Sequence, residues 1–143
     1  MPNVLNPKDQ IHTDLVSCGA DQYDLLLPET HELPNVIQND ERITGIVYGR
    51  YVQNSGQRTG RGALVSTNVR VILLDKKPLF ERYDEISYGV ISAVSYAHAG
   101  FAGTVVLHTR MGDISIRTLN KNCAAHFIAA IEAKIFAEQD LDV

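Results

Sequence analysis

The chain has 143 residues, 45% hydrophobic and 21% charged, with a formal net charge of −4. That length suits one domain with a real core, and the acidic balance argues against nucleic acid as a partner while leaving room for a local basic patch. No apolar stretch approaches the roughly 20 residues of a membrane-spanning helix, and the N-terminal text has no basic segment leading into an apolar block, so it does not read as a signal peptide and the expected location is cytoplasmic.

The text changes character near Asp40, which divides an N-terminal extension, residues 1–40, from a main domain, residues 41–139. Residues 1 to about 12 are expected to be loose. The stretch "ADQYDLLLPETHELPNVIQNDERI" carries Leu25, Leu26, Leu27, Leu33, Val36 and Ile37. Pro28 and Pro34 prevent one long helix, so one or two short helices separated by Pro28 are predicted.

From Ile43 onward the pattern is short β-prone runs between turns. "ITGIVYGRYVQ" is a long first strand, and Gly45 and Gly49 within it mark a bend or bulge. "NSGQRTGR" reads as a polar connection, "GALVST" as a second strand and "VRVILLD" as a third, with a tight turn at Thr67–Asn68. "FERYDEISY" follows the break at Pro78. Its faces are mixed, which suits an edge strand. "ISAVSYAHA" precedes the turn "GFAG", and "GTVVLHT" and "DISIRT" form a hairpin around "RMGD". Seven such runs predict a compact antiparallel barrel or sandwich.

After Thr118 the period changes. "NKNCAAHFIAAIEAKIFAEQ" contains neither Pro nor Gly and reads as a helix, with Asn120 as its N-cap. Ala124, Phe127, Ile128, Ile131 and Ile135 fall on one stripe. An amphipathic helix in this place is the natural plug for the open end of a barrel. Lys121, Asn122, Glu132 and Lys134 fall on its outer face.

Seven strands followed by one amphipathic helix resemble a pleckstrin-homology (PH) domain. The wording is closer to bacterial PH-like domains of the YokE-like group. The residues that carry the resemblance are "DERITGIVYGRY", "GRGALVSTNVRVILLDKK", Tyr88, Ile91, Ser92 and Val94, "AGFAGTVVL", "GDISIRT" and the final helix. Gly89 and Val90 depart from the charged residues this group commonly has after the tyrosine. Residues 1–39 have no counterpart in the resemblance. It implies a mainly β fold with α: a PH-like barrel of two packed sheets capped by the C-terminal helix. It further implies a binding or assembly scaffold rather than an enzyme, without cofactor, associating with itself or with protein partners.

The alternative is a module that touches an anionic membrane or another phosphate-bearing ligand. In lipid-binding PH domains, basic residues on the first two strands and their connecting loop cradle phosphates, and Arg50, Arg58 and Arg61 occupy that region here. An arginine fork suits a phosphate. Yet Arg58 and Arg61 are three apart where the pattern wants two, and the same residues also fit a solvated hairpin loop. "TGRGALVST" lacks the order of a phosphate-binding loop and runs into strand text.

The remaining candidates point to structure. Cys18 and Cys123 match no metal spacing and read as reduced thiols. The histidines at 12, 31, 98, 108 and 126 show no metal-binding pattern. Cys123 and His126 share a helix face, where a buried spacer is favoured over a nucleophile. Ser66, Thr67 and Asp75 sit at strand ends. Tyr48, Tyr51, Tyr83, Tyr88 and Tyr96 suit either strand packing or an aromatic binding face. An enzyme would need a pocket collecting His98, His108 or Asp75.

Overall fold

The computed structural model describes residues 6–54 and 56–141, with side chains through residue 137. Three short helices come first: α1 (Pro7–Ser17), α2 (Gln22–Leu25) and α3 (Pro28–Val36). The expectation of a loose start fails from Pro7 onward. Asn6 accepts a hydrogen bond from the Asp9 amide at 2.9 Å, and Pro7 supplies the φ of a first helical position. Residues 1–5 lie outside the described residues. Asp21 and Asp24 cap α2 reciprocally. Pro28 opens α3 rather than only breaking the chain, and Pro34 lies inside that helix, two residues before its end.

Seven strands follow: β1 (Ile43–Gln53), β2 (Arg58–Thr67), β3 (Val71–Lys76), β4 (Glu81–Ile86), β5 (Ile91–Ala99), β6 (Ala102–Thr109) and β7 (Gly112–Thr118). They form one antiparallel sheet in the order β4-β3-β2-β1-β7-β6-β5, and the sheet does not close. The two expected sheets are therefore two halves of one. β1 joins them: it pairs with β2 along its length, but with β7 only over Arg50–Gln53. Gly49 permits this junction, because a Cβ there would stand 1.8 Å from the Arg117 carbonyl oxygen. β4 is an edge strand, as its mixed faces predict.

One core cluster fills the concave side, with Val47, Leu64 and Leu73 from one half and Val105, Leu107, Ile114 and Ile116 from the other. The final helix, α4 (Lys121–Leu141), seals it. Ala124, Phe127 and Ile131 are fully buried there, and Ile128 and Ile135 pack alongside. A second cluster lies on the outer face of β1–β3 under α1 and α3, and includes Leu15, Leu33, Ile46, Val65, Ile72 and Leu74. Strands covered on both faces explain the unbroken apolar text of β3.

Candidate functional site

β2 starts at Arg58, four residues before the predicted start at Gly62, because Arg58 already pairs with Gln53. This turns two loop arginines into strand residues and sets their faces. Arg61 stands directly across from Arg50, and Arg50 directly across from Arg117 on β7. Directly opposed residues share a face, so three exposed arginines form a row across β2, β1 and β7 on the outer side of the sheet. Arg58 is an odd number of positions from Arg61 and therefore projects to the other face. Arg50 and Arg61 are brought together, while Arg58 is not.

Like charges directly opposed across strands repel. No hydrogen bond or ion pair engages the three guanidinium groups among the described residues. One row further along, Thr59, Val52, Ser115, Val106 and Ser95 continue the same face without charge. The row thus presents concentrated positive charge beside a neutral sheet surface, an arrangement that can take an anion bidentately from more than one fork.

On the concave side, Tyr51 donates to Asp75 at 2.5 Å, and Lys77 reaches the other oxygen of Asp75 at the same distance. Burial and the Asp75 carboxylate push the Tyr51 phenol up to about 12, so it stays a proton donor at neutral pH. Arg82 donates to Gln53 at 2.9 Å and to Asp84 at 3.4 Å. Positive and negative groups alternate here, so although the buried Arg82 Nε has no partner among the described residues, the charges of this mouth are largely paired and it is a poorer anion site than the outer row.

The catalytic candidates are scattered. Asp75 is tied to Tyr51, His108 faces Asp113 at 3.2 Å on the outer side, and His98 lies on β5. One cleft is lined by Asp21, Phe101, Leu119, Asn120, Lys121 and Asn122, and another by residues of α1 and α3 with Leu25; neither gathers Asp75, His98 or His108. Cys18 and Cys123 are buried free thiols. Burial pushes them up to about 11 and about 12, away from the reactive thiolate. His126 is exposed while Cys123 is not, so they share no site. Among the described residues, no three His, Cys, Asp or Glu side chains stand together to hold a metal ion. Of the strand-region tyrosines, Tyr48, Tyr51 and Tyr88 are core residues, while Tyr83 and Tyr96, on the two edge strands, are exposed, as is Tyr23 on α2.

The family model described as "Bacterial PH domain" matches residues 37–133. The chain belongs to the bacterial PH domain family. Solved structures of similar fold include the PH domain of USP37, with 16% identity, a TM-score of 0.50 and coverage of 64% of this chain and 97% of that one. The Vps36 N-terminal PH domain has 16% identity and a TM-score of 0.54, over 75% of this chain and 86% of that one. A DUF1696 family protein with a PH domain from Shewanella loihica PV-4 is 19% identical over 82% of this chain and 96% of that one, with a TM-score of 0.44. No curated protein matches the chain. At these identities the likeness carries the fold alone.

In this bacterial PH domain, sequence reading missed Arg117. Its outward direction was visible in the alternation of "DISIRT", but its neighbour on β1 is not a local property. No described helix is long and apolar enough to cross a membrane.

Proposed function

We propose that the chain is a non-catalytic PH-type binding and assembly module of the bacterial cytoplasm, acting through association with a second copy or a protein partner. Residues 1–40 would serve as an extension roofing one outer face, and residues 41–139 as the module itself. The observation that supports this reading is the open sheet. Among the described residues its terminal strands β4 and β5 each have only one neighbour. The outward N–H and C=O groups of such strands are a template for another strand. Light scattering across a concentration series is expected to give a mass of at least two 15.8-kDa chains. A strict monomer at the highest soluble concentration would overturn self-association.

The arginine row favours a second reading, in which Arg50 and Arg61, joined by Arg117, bind an anionic headgroup or other phosphate. Basic residues near an anionic surface contribute about 1 kcal/mol each. Sedimentation with phosphatidylserine vesicles is therefore expected to weaken about 100-fold in an Arg50→Ala/Arg61→Ala/Arg117→Ala variant. Arg58→Ala should bind as wild type does, because it occupies the other face. Vesicles of phosphatidylcholine should sediment neither protein. If wild type and triple variant behave alike on the anionic vesicles, the headgroup reading is wrong.

A further inference from the structure

We infer that two copies join edge to edge through β5, antiparallel about a twofold axis at Tyr96, so that two seven-stranded sheets become one. This rests on the assembly reading and names the partner surface within it.

The two edges of the sheet are built differently. β4 carries Glu81, Arg82, Asp84 and Glu85 within six residues. Charge on an edge strand discourages pairing with another chain. β5, "ISAVSYAHA", has no Asp, Glu, Lys, Arg or Pro in nine residues. Its one register irregularity is confined to its start, between Ile91 and Ala93. From Ser92 to Ala99 every residue is exposed except the half-buried Val94. β5 therefore lacks the protections that β4 has.

The hairpin determines which backbone groups point outward. β5 and β6 are joined by Gly100 and Phe101 alone, with Gly100 at φ +62° and Ala99 opposite Ala102. A glycine at the first central position marks a two-residue turn whose flanking pair exchanges both hydrogen bonds. Bonded and non-bonded pairs then alternate along the ladder. Ala97, Ser95 and Ala93 direct their backbone groups to Thr104, Val106 and His108. Val94, Tyr96 and His98 direct theirs to the open edge.

These three residues are self-complementary. With Tyr96 on the axis, it faces Tyr96 of the second copy, and Val94 faces His98 of the second copy twice. That register makes about six inter-chain hydrogen bonds. The intervening pair is Ser95 with Ala97, small on small. Tyr96 does not obstruct the approach. It leans inward over β6, where a Cβ on Gly103 would stand 2.4 Å from its hydroxyl oxygen.

Three measurements test the pairing. Wild type should weigh two chains. His98→Pro removes an outward N–H without touching the ladder to β6. About two of the six inter-chain bonds vanish, so the dimer dissociation constant should rise about 10-fold or more while the circular dichroism spectrum is unchanged. A Ser95→Cys/Ala97→Cys double variant treated with oxidised glutathione should form a covalent dimer on a non-reducing gel. Either single variant should not, because each residue is too far from its own copy. The buried Cys18 and Cys123 do not compete. A wild-type dimer with no cross-link in the double variant would overturn the β5 register and leave assembly standing. A mass above two chains would overturn the twofold arrangement. A wild-type monomer would overturn both this inference and the assembly reading.

Discussion

Truncating Phe127 to alanine should cost about 3–5 kcal/mol, the range for removing a buried aromatic side chain. Phe127 is fully buried where α4 crosses β1, and the helix sits so close that a Cβ on Gly45 would lie 2.8 Å from the Phe127 Cα. Neighbours held this tightly relax little, so the cavity persists. Against a typical total of about 5–15 kcal/mol, the loss brings the fold near its limit. Urea unfolding reads it as a fall in midpoint of about 1–3 M with the slope retained. Phe136→Ala, on an exposed part of the same helix, should change stability by less than about 0.5 kcal/mol. Equal effects at the two positions would mean that α4 does not seal the core.

Arg70→Ala should be as damaging for an electrostatic reason. Arg70 grips Glu41 through two hydrogen bonds, at 2.8 and 2.9 Å, and also reaches the Val36 carbonyl at 3.0 Å, Glu85 at 3.2 Å and the Tyr83 hydroxyl. Glu41 further accepts from Thr67 at 2.6 Å and from the Gln38 amide at 3.1 Å. The Glu41 side chain is 1% exposed. Removing its cation strands a carboxylate away from water, at about 3–5 kcal/mol. A Glu41→Leu/Arg70→Met double variant should recover most of that loss.

The pH dependence separates charge from packing. Burial alone would push the Glu41 carboxyl up, but the hydrogen bonds from Arg70 and Thr67 outweigh it and hold the carboxyl below its ordinary value. A lowered folded-state pKa stabilises the fold above the unfolded pKa, and that contribution is lost as pH falls below it. In Arg70→Ala only the Thr67 and Gln38 hydrogen bonds still oppose burial, so the variant loses less stability than wild type as pH falls. The stability gap should be widest at pH 7 and narrow as pH falls below about 4.5, the ordinary value of this carboxyl. A gap unchanged by pH would assign the loss to packing.

The elements that were legible are those whose evidence is local. The stripe from Ala124 to Ile135 states its own period, and the mixed faces of "ERYDEI" mark it as an edge. Asn6 and Pro7 form a cap that is local and legible, although the polar, proline-bearing start also reads as a loose terminus. The arginines show a different limit. Their faces follow from spacing only once both lie in one strand, and a β2 expected to begin at Gly62 contains neither Arg58 nor Arg61. The meeting of Arg50 with Arg117, and of Glu41 with Arg70 29 positions away, depends on which strands become neighbours. Residue order alone does not contain that.

The Asn120 side chain donates to the Gly19 carbonyl at 3.0 Å and to Asp24 at 2.9 Å, spanning 101 and 96 positions, while its oxygen caps α4 at the Cys123 amide at 3.1 Å. On the ribosome α1 and α2 emerge long before this amide is made. They wait without that clasp until Asn120 itself has been made, so closure of the roof trails synthesis of the whole sheet.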